Sequence, residues 1–68
     1  MILTNKEKQS IKNMEIGQLP IRFDDENSNY QYEVEKLSKN EWRVSKFAIM
    51  CLAVEYFSTE EEVYKFIG

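Results

Sequence analysis

Histidine is absent from this chain, and cysteine occurs once, at Cys51. Zinc, haem and iron–sulfur sites therefore lack their usual ligands. The same gap removes the base that activates a nucleophile, so Ser10, Ser28, Ser38, Ser45 and Ser58 have no imidazole to serve them. One cysteine cannot form an intramolecular disulfide, and so small a chain without one suits a reducing compartment. Cys51 falls in the apolar run Phe47–Val54. Free cysteines in such runs are usually buried, and an inert buried thiol is expected.

Glycine is nearly as scarce, at positions 17 and 68 only, and Pro20 is the single proline. No glycine-rich phosphate loop can be built from two distant glycines. The longest apolar run, Phe47–Val54, has eight residues. Spanning a bilayer takes about 20. Met1–Leu3 leads directly into polar Thr4–Ser10, so no signal peptide is expected. These absences predict a cytoplasmic protein with no membrane partner.

What is present is acidity. Twelve Asp and Glu against nine Lys and Arg give a net charge of −3. Nucleic-acid phosphates call for a basic patch, so direct nucleic-acid binding is not expected. Residues 1–23 are a local exception: Lys6, Lys8, Lys12 and Arg22 against Glu7 and Glu15 leave +2, read as scattered solvated lysines. Residues 24–41 lean the other way. Asp24, Asp25, Glu26, Glu33, Glu35 and Glu41 against Lys36 and Lys39 leave −4. Asp24–Glu26 lacks the spacing and glycine of a calcium loop and reads as a solvated acidic turn. No cofactor is expected. Carboxylate-pair catalysis is allowed by residue type, but a chain of 68 residues has little volume for a deep, water-excluding cleft. An enzyme is not expected.

Lys, Asn, Glu, Ile, Tyr and Phe are frequent here, which fits an AT-rich genome. Small proteins of phages and mobile elements in low-GC bacteria share that bias.

The chain reads as one small domain, with segments 4–16 helical, 19–57 mainly β and 59–67 helical. Thr4 and Glu7 have capping-box spacing, and Gly17 is a plausible stop for the first helix. Ile11 and Met14 give that helix a thin apolar stripe, which predicts weak docking. Leu19, Ile21 and Phe23 alternate with Pro20 and Arg22 in a strand over Leu19–Asp24, and Pro20, which lacks a ladder donor, suits an edge strand or a strand start. Asp25–Asn29 is a polar turn. Tyr30–Leu37 is the clearest strand, with Tyr30, Tyr32 and Val34 on one face and Gln31, Glu33 and Glu35 on the other. Ser38-Lys39-Asn40 suits a three-residue hairpin loop with Asn40 left-handed. Leu37 would then face Glu41, Val34 face Val44, Glu35 face Arg43, and Lys36 cover Trp42. Phe47–Phe57 fits either a helix or a strand. No Gly, Pro, Asn or Asp marks a turn between Asn40 and the C-terminus, which counts against a tight hairpin there. A helix apolar all round needs more burial than this chain provides, so a strand at Leu52–Phe57 is favoured. Ser58 and Thr59 each precede a glutamate by three residues, and Glu60–Glu62 suit a helix N-terminus. Val63, Phe66 and Ile67 form that helix's apolar stripe. The fold class is therefore α+β: an antiparallel meander of three or four strands, a short N-terminal helix, and a C-terminal helix packed on one face.

Two features suggest binding. Asp24, Asp25, Glu26, Glu33 and Glu35 could form an acidic array fit for a basic groove. Tyr30 and Tyr32 could add aromatic contacts, although tyrosine spacing also matches a core face. These residues form the candidate partner-binding site. The expected function is a small non-catalytic protein-binding regulator or inhibitor, encoded by a phage or mobile element, that occludes a host protein. One alternative is an acidic nucleic-acid mimic that blocks a nucleic-acid-handling enzyme. Another is an assembly subunit stable as an oligomer, including a homodimer formed through a strand edge.

Overall fold

The computed structural model describes residues 2–68. Helix α1 (Asn5–Lys12) precedes four strands, β1 (Ile21–Asp24), β2 (Gln31–Ser38), β3 (Glu41–Phe47) and β4 (Cys51–Phe57), and helix α2 (Glu60–Ile67) ends the chain. The strands form one antiparallel sheet in the order β1-β2-β3-β4, a simple meander. Among the described residues, no helix is long and apolar enough to cross a membrane.

Both helices start where their caps dictate. The Thr4 backbone N–H donates to Glu7 Oε1 at 2.8 Å, and the Glu7 N–H donates to Thr4 Oγ1 at 3.1 Å, a reciprocal capping box. Thr59 caps α2, its Oγ1 accepting from the Glu62 N–H at 3.3 Å. Helix α1 ends at Lys12 with Asn13 as its cap, before the expected stop at Gly17. Gly17 instead serves the turn that follows. Its φ of +84° is a conformation open to glycine, and the Gln18 N–H closes the turn on the Glu15 carbonyl at 3.2 Å.

The apolar stripe of α1 is as thin as expected, with Ile11 its one buried residue. Ile11 is fully buried, and Leu3 and Met14 flank it in the core. Tyr64 on α2 donates its hydroxyl to the Lys8 carbonyl at 3.1 Å, tying the helices together. A thin stripe suffices because residues on either side of the helix add their own apolar contacts.

The β2–β3 register follows the cross-strand chemistry: Val34 faces Val44, Glu35 faces Arg43, and Lys36 faces Trp42. The hairpin tip differs from expectation. Ser38 rather than Leu37 faces Glu41, leaving a two-residue turn at Lys39-Asn40 and an irregularity at Leu37. No described residue other than glycine has positive φ, so Asn40 is not left-handed. The extra residue is absorbed inside β2, which keeps the Lys36–Trp42 pair aligned. Strand β1 begins at Ile21, and Leu19 lies outside it, exposed. Phe47–Phe57 resolves as the end of β3, a connection at Ala48–Met50 and the strand β4. The Ala48 N–H donates to the Met50 carbonyl at 3.0 Å, and a second irregularity follows at Leu52. The chain reverses there without a customary turn residue.

One sheet face is covered and the other is open. Phe23, Tyr32, Val34, Trp42 and Val44 point into the covered face and meet Leu3, Ile11, Met14, Val63 and Ile67. Phe66 completes the packing, its ring 6.2 Å from that of Tyr32 and 5.4 Å from that of Phe57.

Candidate functional site

Alternation along the strands places the expected site residues apart. Glu33 and Glu35 lie on the open face, as does Asp24 of β1. Asp25 and Glu26 lie in the turn beyond it. Tyr30 is partly exposed, and the ammonium of Lys46 sits 4.1 Å from its ring centre. Tyr32 is buried in the core at 4% exposure, which removes it from any binding surface. Its place on the strand explains this: it alternates with Glu33 and faces Phe23 on β1.

The acidic strand face is not a free array. Glu33 pairs with Arg22 on β1 at 3.3 Å, and Glu35 pairs with Arg43 on β3. The Arg43 guanidinium is held above its usual pKa first by Tyr56 and then by Glu35. Two of the chain's arginines thus neutralise the two carboxylates that were to present charge. The turn carboxylate of Asp25 is also engaged, since its Oδ1 accepts from the Asn27 N–H at 3.0 Å. That hydrogen bond, with one from Ser28, holds Asp25 below the usual carboxylate range.

Asp24–Asn27 and the first turn of α1 border an open hollow of about 370 Å³. Among the described residues, no three His, Cys, Asp or Glu side chains are grouped to hold a metal ion.

The surface that sequence reasoning missed lies on β4. Leu52, Val54 and Tyr56 occupy the open face at 51%, 43% and 56% exposure, and Met50 and Ile49 just before them are 68% and 101% exposed. Val54 faces Ser45 and Tyr56 faces Arg43, so this apolar strip borders the neutralised ion pairs. Cys51 is exposed at its start, not buried as expected, because an edge strand shields it on one side only. The signal was present in the sequence. A strand with one covered face should alternate apolar with polar, whereas β4 is apolar on both parities except at Glu55. Such a strand has a second surface in need of cover.

Buried Trp42 carries an indole N–H with no hydrogen-bond partner among the described residues. Lys36 places its ammonium 4.9 Å from the Trp42 ring.

No family model matches the chain, and no curated protein or solved structure matches it. The geometry above is therefore the whole basis for a functional reading.

Proposed function

We propose that this chain is a non-catalytic protein-binding module whose contact surface is the β4 side of the open sheet face. One observation carries the reading: five large apolar side chains between Ile49 and Tyr56 are exposed together on one edge of the sheet. Contiguous apolar surface of this kind, rimmed by polar groups, is characteristic of interaction sites. Tyr56, beside Arg43, adds the aromatic and arginine pairing common at binding hot spots. A module of this size would act on its partner by covering a surface, as a regulator or inhibitor does.

The charge-mimic alternative loses support from the same face. Glu33 and Glu35 each carry an arginine partner, so their potential largely cancels at a distance.

The test is capture of partners from bacterial lysate on immobilised wild-type chain, Val54→Lys, and the double variant Glu33→Gln/Glu35→Gln. The expected partner resists high salt, is lost with Val54→Lys, and is kept by the double variant. A partner released by salt and lost with the glutamates, but indifferent to Val54→Lys, overturns the reading in favour of charge mimicry.

A further inference from the structure

We infer that the outer edge of β4 is taken by β4 of a second copy of this chain, paired antiparallel about a two-fold axis at Val54. The inference rests on the reading of β4 as the contact strand and names what takes its edge; the apolar strip on the open face is extended by the pairing.

The sheet has two free edges, and they differ. Strand β1 has four residues and follows directly on Pro20, which cannot donate to a ladder. Strand β4 has seven residues, no proline, no lysine and a single charge, at Glu55. Edges are normally blunted by charge, proline or shortness to prevent sheet-to-sheet pairing. β1 has such protection and β4 lacks it.

The sequence of β4 is complementary to itself in one register. In a continuous antiparallel sheet, opposed residues share a face, so the axis must pass through a residue. Cys51–Phe57 is centred on Val54, and only an axis there pairs the whole strand. On the open face, Val54 then meets Val54, and Leu52 meets Tyr56 of the second copy, an aliphatic–aromatic pair of the favoured kind. On the covered face, Glu55 meets Ala53. An axis one face-step later, at Glu55, would set glutamate against glutamate, a destabilising arrangement. An axis one residue earlier, at Ala53, would pair only Cys51 to Glu55 and leave Tyr56 and Phe57 opposite residues outside the strand.

Size argues the same way. Ten apolar side chains make up the buried core of the described residues, and chains of this length are marginal alone. A standard interface buries about 800 Å² per partner, roughly a sixth of the 4794 Å² this chain exposes. Pairing at Val54 would also carry Ile49 and Met50 alongside Ser58 and Thr59 of the second copy, extending the contact beyond the strand. The product is an eight-stranded sheet in which the two apolar strips merge into one face.

Disulfide trapping reads the register directly. Opposed residues in an antiparallel pair have Cα atoms about 4.5–5.5 Å apart, within disulfide range, whereas diagonal ones lie about 7–8 Å apart and outside it. Cys51→Ser/Val54→Cys should therefore crosslink to a dimer on mild oxidation, and Cys51→Ser/Glu55→Cys should not. Sedimentation equilibrium of the wild-type chain from micromolar to millimolar concentration should show a monomer–dimer equilibrium. Val54→Lys, at an exposed position, should keep the circular dichroism spectrum and be monomeric throughout. Preferential crosslinking at Glu55→Cys, or a dimer untouched by Val54→Lys, overturns the proposed pairing. A wild-type chain that stays monomeric to millimolar concentration also overturns it. In that last case a lysate partner still lost with Val54→Lys leaves the module reading standing, so the two ideas fail separately.

Discussion

Ile2, Ile11 and Ile16 lie within fifteen residues of one another, and the fold treats them very differently. Ile11 is fully buried, while Ile2 is 91% exposed and Ile16 is 61% exposed. Ile11→Ala removes three carbons from the core. At about 0.8 kcal/mol each, their transfer term is about 2.4 kcal/mol. The cavity left behind adds to that, and Ile→Ala changes in cores cost about 2–5 kcal/mol. A domain of this length has a total stability of only about 3–10 kcal/mol. The loss should therefore be a large share of the whole. It should also be uneven, because helix α1 has eight residues and isolated helices shorter than about 12–15 are marginal in water. Docking through Ile11 is what keeps α1 helical. Urea unfolding followed by circular dichroism and by Trp42 fluorescence measures the effect, since Trp42 is the single, buried tryptophan. With a slope of about 1 kcal/mol/M, the midpoint should fall by about 2 M or more. Amide exchange in α1 should accelerate before that in the sheet. Ile2→Ala and Ile16→Ala should change stability by less than about 0.5 kcal/mol. An Ile11→Ala variant that unfolds within about 0.5 kcal/mol of wild type would refute the docking of α1.

Other expectations concern the second helix and the pH profile. Thr59→Ala removes the oxygen that accepts from the Glu62 N–H and should cost about 1 kcal/mol, with Thr59→Ser restoring most of it in the same denaturation assay. Burial, and then the charges of Glu60 and Glu61, raise the pKa of Tyr64. A raised folded-state pKa gives stability that is complete below the unfolded tyrosine value of about 10 and is lost as pH climbs through the higher folded value. Tyr64→Phe should accordingly flatten the alkaline limb of a Tm-versus-pH curve. The lowered pKa of Asp25 works in the opposite sense, giving stability present above the unfolded carboxylate value and lost as pH falls through the folded one. With no histidine in the chain, no imidazole contributes to the curve between those limbs.

Much of the architecture was legible because it depends on near neighbours. The Thr4–Glu7 capping box and the Thr59 cap join residues three apart, a spacing visible in one dimension. The β2–β3 register was readable because Val34–Val44, Glu35–Arg43 and Lys36–Trp42 make sense only together. The hairpin tip was less legible. A two-residue turn with an irregularity at Leu37 uses the same number of residues as a longer loop, and local chemistry does not separate them. The candidate site was read less well than the fold. Glu33 and Glu35 were placed on the correct face, but Arg22 lies eleven residues from Glu33 in sequence, and their pairing comes from the way β1 folds back on β2.

The sequence by itself determined the two helices, the β1–β3 strands and their order, and the lack of histidine or paired cysteines, because these follow from local periodicity, capping and residue supply, while Phe47–Phe57 fitted a helix as well as a strand. Tertiary structure decided which of two apolar faces each strand would hide. Two short helices can cover one face of a four-stranded sheet, and that face holds Tyr32, Val34, Trp42 and Val44. Strand β4 lies at the edge of that cover, so Cys51, Leu52, Val54 and Tyr56, apolar by composition, remain at the surface. Burial depends on what packs overhead, and a residue's own chemistry does not specify its neighbours.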